Sequence, residues 1–222
     1  MLVSARGLTR VFREEAAAHA VIRDLDLDLR AGEIVAVVGR SGSGKSTLLN
    51  LIGAMDRPSA GQLSFAGEDM AGWNDDARTT FRRARLGFVF QAFNLLPTLQ
   101  VGENIALPLE LNGLAVDARV AELLAALGLT ALAARYPDQI SGGEQQRTAI
   151  ARAVAHRPAL IIADEPTGNL DRESGREVIA LFERSVRAAG AALLMATHSD
   201  EMLGHADRVL DLRDGRLYPR PA

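Results

Sequence analysis

Between an unbroken apolar run, Ile34 to Val38, and a helical stretch, Leu48 to Ile52, the chain reads Gly39-Arg40-Ser41-Gly42-Ser43-Gly44-Lys45-Ser46-Thr47. This fits G-x-x-x-x-G-K-[ST] in the context the pattern requires, a strand feeding a helix through a glycine-rich turn. Glycines at 39, 42 and 44 let the backbone curl so that several N–H groups converge at a helix N-terminus, where the dipole favours negative charge. A glycine-rich turn without a ligand is the plain alternative, and the strand before it and helix after it argue against that. The implied ligand is a nucleoside phosphate held by residues 39–47. Lys45 then reaches the β- and γ-phosphates, Ser46 offers a hydroxyl to Mg²⁺, and Thr47 bonds a phosphate nearer the sugar.

Composition bears on this loop through one residue. Lys45 is the only lysine among 25 basic residues, the rest being arginine. An ammonium is a compact charge on a flexible stem, whereas a guanidinium presents a wider planar fork that would crowd the loop. The same count excludes a guanine-reading N-K-x-D motif, which needs a second lysine. The chain has 222 residues and a formal net charge of −3, which gives one large domain or one with a subdomain and no call for direct nucleic acid binding. Without cysteine, disulfides, thiolate catalysis and Cys-built zinc sites are excluded. The opening MLVSARGLTR lacks a signal-peptide core, and no apolar run approaches the ~20 residues of a membrane-spanning helix.

Periodicity predicts an α/β fold. Leu25, Leu27 and Leu29 alternate with polar residues as in a half-exposed strand, while Ile34 to Val38 and Leu160 to Ala163 are short continuous runs that suit a buried parallel sheet. Helical spacing marks Ala115 to Leu127, Gly143 to His156 and Ser174 to Ala189. Asp214-Gly215 between Val209 to Leu212 and Arg216 to Tyr218 signals a hairpin, hence antiparallel edges. The stretch 92–156 carries little strand signal and reads as a helical subdomain inserted within a sheet domain formed by 1–91 and 157–222. The basic run Arg82, Arg83 and Arg85 reads as a solvated helix face.

Two further segments carry chemistry. Leu160 to Ala163 ends in Asp164 and Glu165, so a buried strand delivers adjacent carboxylates at its carboxyl end, where α/β sheets place ligands. Neighbouring strand residues point opposite ways, which lets Asp164 face the magnesium shell while Glu165 faces the attacking water. Ile140-Ser141-Gly142-Gly143-Glu144-Gln145-Gln146-Arg147 sets a serine N-cap and two glycines before a helix, a second exposed-amide anion site, although capping alone would explain Ser141.

Together these segments resemble the nucleotide-binding subunit of ATP-binding cassette (ABC) transporters over nearly the whole chain, with Walker A at 39–47, the signature at 140–147 and Walker B ending at Asp164-Glu165. The resemblance implies a P-loop NTPase (RecA-like) core with an antiparallel β subdomain and an inserted α-helical subdomain. It assigns Gln91, in Phe88-Val-Phe-Gln91, as a Q-loop residue contacting Mg²⁺ or the water; Asp171, in Gly168-Asn-Leu-Asp171, as the D-loop; and His198 as the histidine that holds the γ-phosphate. Phe12 sits where the family stacks an aromatic on adenine, or else is a core strand residue. Departures are mild: Ile140 stands for the common leucine, and the D-loop reads GNLD where many members have SALD. Further implied are ATP and Mg²⁺ as cofactors, with Ser46, Gln91 and Asp164 as metal ligands, and an ATP-bound head-to-tail homodimer. In that dimer Ser141, Gly142 and Gly143 of one copy close over ATP held by the other's Lys45. Transmembrane permease subunits complete the implied assembly and hold the chain at the cytoplasmic face of the inner (cell) membrane.

The stretch Phe90-Gln-Ala-Phe-Asn-Leu-Leu-Pro97-Thr-Leu-Gln-Val-Gly-Glu-Asn104-Ile, the SGGEQQR wording and the loop Arg13 to Ala20 resemble the lipoprotein-releasing and macrolide-exporter-type group, to which the cell-division ATPase is related. An uptake-type ATPase and a soluble cassette ATPase stand as alternatives.

Overall fold

The computed structural model describes residues 1–14, 17–170 and 172–220. They form two compact units, Met1–Arg82 with Ala192–Ala222, and Arg83–Ala191.

In the first unit, β1 (Val3–Glu14) and β2 (Ala17–Leu29) pair antiparallel, and β1 pairs on its other side with β4 (Ala60–Phe65), which is followed by the short β5 (Glu68–Asp69). Leu25, Leu27 and Leu29 are buried while Asp26 between them is exposed, the pattern the alternation predicts. β3 (Ile34–Val38) is buried at every residue because it has parallel neighbours on both edges, β8 (Ala192–Ala196) and β9 (Arg208–Arg213). β10 (Arg216–Pro219) folds back on β9 through Asp214 and Gly215, at φ 50° and 79°, the paired left-handed residues of a type I′ hairpin turn.

α1 (Lys45–Ile52) follows β3 and buries Leu48, Leu49, Leu51 and Ile52. Its exit is fastened by α2 (Asp75–Arg85): Arg78 donates to the Ala54 carbonyl at 2.6 and 3.1 Å and to that of Asp56 at 2.6 Å, and Arg82 donates to Ala54 at 2.8 Å. The basic run is thus solvated at Arg83 and Arg85 only; Arg82 spends its guanidinium on the loop after α1.

In the second unit, β6 (Leu86–Phe90) and β7 (Leu160–Asp164) pair in parallel. The chain between them is helical: α3 (Val101–Leu111), α4 (Asp117–Ala126), two single 3₁₀ turns and α5 (Gly142–Val154). α5 packs against α3, against β6 and against α6 (Arg172–Ala189). The approach to β6 is close because Gly87 has no side chain; a β-carbon there would run into the Ala153 carbonyl. Asn104, fully buried in α3, accepts from the Leu96 N–H at 2.9 Å and donates to the carbonyls of Leu96, Leu99 and Gln100. That one side chain therefore shapes the segment leading into α3.

Candidate functional site

The loop from Gly39 to Gly44 takes its shape from backbone demands. Gly39 has φ 153°, and a β-carbon there would stand 2.6 Å from the Leu212 carbonyl; Gly44 has φ 103°, and one there would stand 2.8 Å from Val21 Cγ1. Any side chain at either would push the loop off β9 or β2. Gly44 is also the N-cap of α1 and gives no side-chain cap, and the first turn carries no acidic residue, so no side chain of that turn opposes an anion at the helix end.

Lys45 is buried at the first position of α1. Its ammonium donates to the carbonyls of Gly39 at 2.8 Å and Arg40 at 3.3 Å, and lies 3.2 Å from His198 Nε2. His198 is placed by the end of β8: Thr197 N–H donates to the Val37 carbonyl, and the Thr197 hydroxyl accepts from Ser199 N–H, which turns the exposed imidazole between them over the loop. An ammonium can only donate, so Nε2 is the accepting nitrogen in this contact. Ser43 Oγ is buried with no hydrogen-bond partner among the described residues. A cavity of about 880 Å³ in this unit is bordered by Gly39 to Ser43, Val21, His198 and Arg213.

These features fit a nucleoside phosphate: uncapped N–H groups, a charged ammonium parked on neutral carbonyls, and an orphaned hydroxyl. Arg40, Ser41, Gly42 and Ser46 are exposed, Thr47 half-buried. Phe12 is 40% exposed, with the Arg10 guanidinium 4.6 Å over its ring, so its place is at the surface rather than in a core.

In the second unit, Asp164 closes β7 and is half-buried. Here the expectation from strand alternation needs correcting. β7 stops at Asp164, and Glu165 has φ 47°, so its direction is set by a left-handed turn rather than by the pleat. The turn is closed by Gly168 N–H donating to the Glu165 carbonyl at 3.0 Å. Asn169 then meets Gln91: its amide donates to the Gln91 carbonyl at 2.8 Å and accepts from Gln91 Nε2 at 3.3 Å. The contact is tight because Gly168 carries no β-carbon, which would sit 3.0 Å from Gln91 Nε2.

Ser141 caps α5 in a reciprocal box: its Oγ accepts from Glu144 N–H, and the Glu144 carboxylate accepts from Ser141 N–H at 2.7 Å and from its hydroxyl at 2.8 Å. The Ser141 backbone N–H, foremost among these donors, holds the Glu144 carboxyl below its ordinary pKa. Gly142 and Gly143 are half-buried in the first turn. Sequence reasoning did not single out Gln146, buried in α5 and donating to the Pro166 carbonyl, or Arg152 and Asn169, which hold the Gln91 segment. Gln146 and Asn169 stood in the quoted motifs only as flanking letters, and Arg152 lay outside them.

Lys45, the glycine loop and His198 thus come together in the first unit, and Gln91, Ser141 to Gly143, Asp164 and Glu165 belong to the second. Asp171 lies outside the described residues. Among the described residues no three His, Asp or Glu side chains gather to hold a metal. Ser46 in the first unit carries a hydroxyl, and Gln91 and Asp164 in the second an amide and a carboxylate, all oxygen donors of the kind a hard cation such as magnesium takes.

Residues 22–168 match the ABC transporter family. The chain is 48% identical over 223 residues to an uncharacterized ABC transporter ATP-binding protein of Mycobacterium tuberculosis H37Rv, covering 98% of this chain and 89% of that one. It is 44% identical over 220 residues to the lipoprotein-releasing system ATP-binding protein LolD of Chromohalobacter salexigens, with 98% and 93% coverage. It is also 44% identical to the macrolide export ATP-binding/permease protein MacB of Azoarcus sp. BH72, spanning 99% of this chain but 34% of that longer protein. A solved dimeric ATP-binding cassette, in a post-hydrolysis state bound to ADP and Pi, superposes with a TM-score of 0.88 at 35% identity over 97% of this chain and 96% of its own.

Proposed function

The chain belongs to the ABC transporter family and is an ATP-binding, ATP-hydrolysing cassette, and from that premise we propose that it powers a membrane partner of the lipoprotein-release, peptide- or drug-export kind by ATP-driven head-to-tail dimerisation. The observation that carries the reading is the meeting of Lys45 and His198, 3.2 Å apart, over the uncapped start of α1. An ammonium and an imidazole gathered at one point suit the oxygens of a terminal phosphate.

In this reading the N–H groups of 39–47 and Lys45 hold the β- and γ-phosphates, Thr47 a phosphate nearer the sugar, and Phe12 stacks on adenine. Ser46, Asp164 and Gln91 would hold Mg²⁺, which when bound would offset the charge of the phosphates. Glu165 takes the proton of the attacking water, and His198 donates to the γ-phosphate as charge builds there. Ser141, Gly142 and Gly143 of a second copy close over the nucleotide, with Asp171 beside them, so one sequence makes two composite sites. ATP binding favours the closed pair and hydrolysis releases it, a cycle that moves a partner. Residues 92–156 act as the helical subdomain carrying the signature, and 1–91 with 157–222 as the core.

Among the described residues no helix is long and apolar enough to cross a membrane. In this reading, which the family membership supports, the membrane partner is a set of permease subunits, and the chain sits on the cytoplasmic face of the cell membrane through them. Direct nucleic acid binding is not expected at a net charge of −3.

Co-purification from detergent-solubilised membranes, with mass spectrometry of what accompanies the chain, tests this. Permease subunits with periplasmic domains support the export type. A solute-uptake permease favours the uptake alternative, and ribosomes or DNA favour a soluble cassette.

A further inference from the structure

Just after Gln91 the chain passes through two consecutive left-handed residues, Phe93 at φ 59° and Asn94 at φ 49°. In that region a β-carbon crowds the following carbonyl, and a pair of such residues persists only where the surroundings over-determine it. Local bonds do part of this, since Phe93 N–H reaches the Phe90 carbonyl and Asn94 N–H that of Ala92. The rest comes from a distant residue. Arg152, in the last turn of α5, donates from Nη1 to the Asn94 carbonyl at 2.6 Å and from Nη2 to the Phe93 carbonyl at 3.0 Å.

Arg152 is half-buried, and desolvation pushes its guanidinium pKa down. Its acceptors here are neutral carbonyls, so the arrangement is a poor stability device: an apolar side chain would fill the space without taking a cation out of water. What a planar fork does that an apolar group cannot is fix two successive carbonyls at once. The same turn sets the Phe93 ring against the beginning of α5, where a β-carbon on Gly142 would stand 3.7 Å from Phe93 Cζ. Its upstream end is tied by the Asn169–Gln91 pair.

We propose that Arg152 is a positioning residue that locks the Phe93–Asn94 turn to α5, so that the Gln91 amide and the Ser141–Gly143 cap move as one piece. The proposal rests on the reading given above, in which Gln91 serves the metal or water and Ser141 to Gly143 close over ATP. α5 is the stiff link between them: about 15 Å of helix separates Gly142 from Arg152. When the cap engages nucleotide on a second copy, the pull on α5 reaches the Gln91 segment through two hydrogen bonds rather than through a slack loop. Hydrolysis then depends on Arg152, and nucleotide capture by the Lys45 loop does not.

The test is ATP turnover by the full chain at saturating Mg-ATP, beside the affinity of the same protein for a fluorescent ATP analogue. Arg152→Gln is expected to lower kcat roughly tenfold or more while affinity stays within about twofold. Adding Asn94→Gly is expected to restore most of the loss, because glycine holds the left-handed turn without an anchor. Native kcat in Arg152→Gln, a fall in kcat matched by an equal fall in affinity, or failure of Asn94→Gly to restore turnover overturns the proposal. Should the glutamine variant not fold, as judged by circular dichroism, Arg152→Lys carries the same test, with the same split and the same rescue expected and their absence decisive. A native chain that turns over no ATP sinks the underlying reading; native turnover with an indifferent Arg152 sinks only this one.

Discussion

Lys45 keeps its charge buried by resting it on the Gly39 and Arg40 carbonyls and against His198, a space shaped for a small ammonium. A guanidinium is wider and holds its donors in a plane. Lys45→Arg, although it conserves charge, is therefore expected to lower ATP turnover by about a hundredfold, the scale of a misplaced phosphate contact. Unchanged turnover and nucleotide affinity would defeat the argument. A second residue-scale prediction concerns His156, just past α5. Burial, the larger effect, pushes its imidazole pKa down from 6.5, against the opposing influence of the Leu86 carbonyl 3.0 Å from Nε2. The folded protein thus holds this ring neutral with Nε2–H donated, whereas the unfolded chain takes up a proton near pH 6.5. Its contribution to stability is full above that value and is lost as pH falls from it toward the depressed folded pKa. Urea midpoints measured at pH 7.5 and 5.5 should drop in the native chain and drop less in His156→Gln; parallel drops would remove His156 as the cause.

At the scale of elements, the placement of α5 is the feature from which most of the second unit follows. One end is a capped anion-type N-terminus, its middle sends Gln146 to the Pro166 carbonyl, and its far end sends Arg152 to the Gln91 segment. This depends on β6 coming close enough, which only Gly87 allows. Gly87→Ala is predicted to destabilise by about 1–3 kcal/mol, the cost of overpacking, because the obstacle is backbone and cannot rotate away. A denaturant midpoint equal to that of the native chain would show that β6 and α5 have more slack than the geometry implies. Much of this element scale was legible beforehand. Helical spacing gave α4, α5 and α6 to within a few residues, and the alternation of Leu25, Leu27 and Leu29 gave the face of β2. The left-handed turn at Glu165 was not legible, because a strand pattern carries no mark of where the pleat stops when the next residue is not glycine.

For the whole chain, the proposed cycle makes a prediction independent of any membrane partner. If Glu165 takes the proton from water and ATP joins two copies, Glu165→Gln should abolish hydrolysis while leaving ATP-dependent association intact. In size-exclusion chromatography with light scattering, the variant should run as a dimer with Mg-ATP and as a smaller species without nucleotide. Turnover within tenfold of native would remove Glu165 as the base, since loss of a general base costs about 10²–10⁴. A variant that stays monomeric at saturating ATP would instead sink the dimer.

The linear order of residues determined the chemistry available: a loop of the right spacing for phosphates, one lysine to serve it, two carboxylates at a strand end, a serine cap with two glycines, and a histidine just past the apolar run Ala191 to Ala196. Such features are local, a few residues whose spacing alone fixes which groups can point together. Tertiary structure decided who holds them. That Lys45 rests beside His198, that Gln91 is tied to Asn169, and that Arg152 pins Phe93 and Asn94 are pairings across 153, 78 and about 59 residues of chain. Spacing along the backbone says nothing about contacts at that separation, because they exist only once packing has brought distant segments within hydrogen-bond reach.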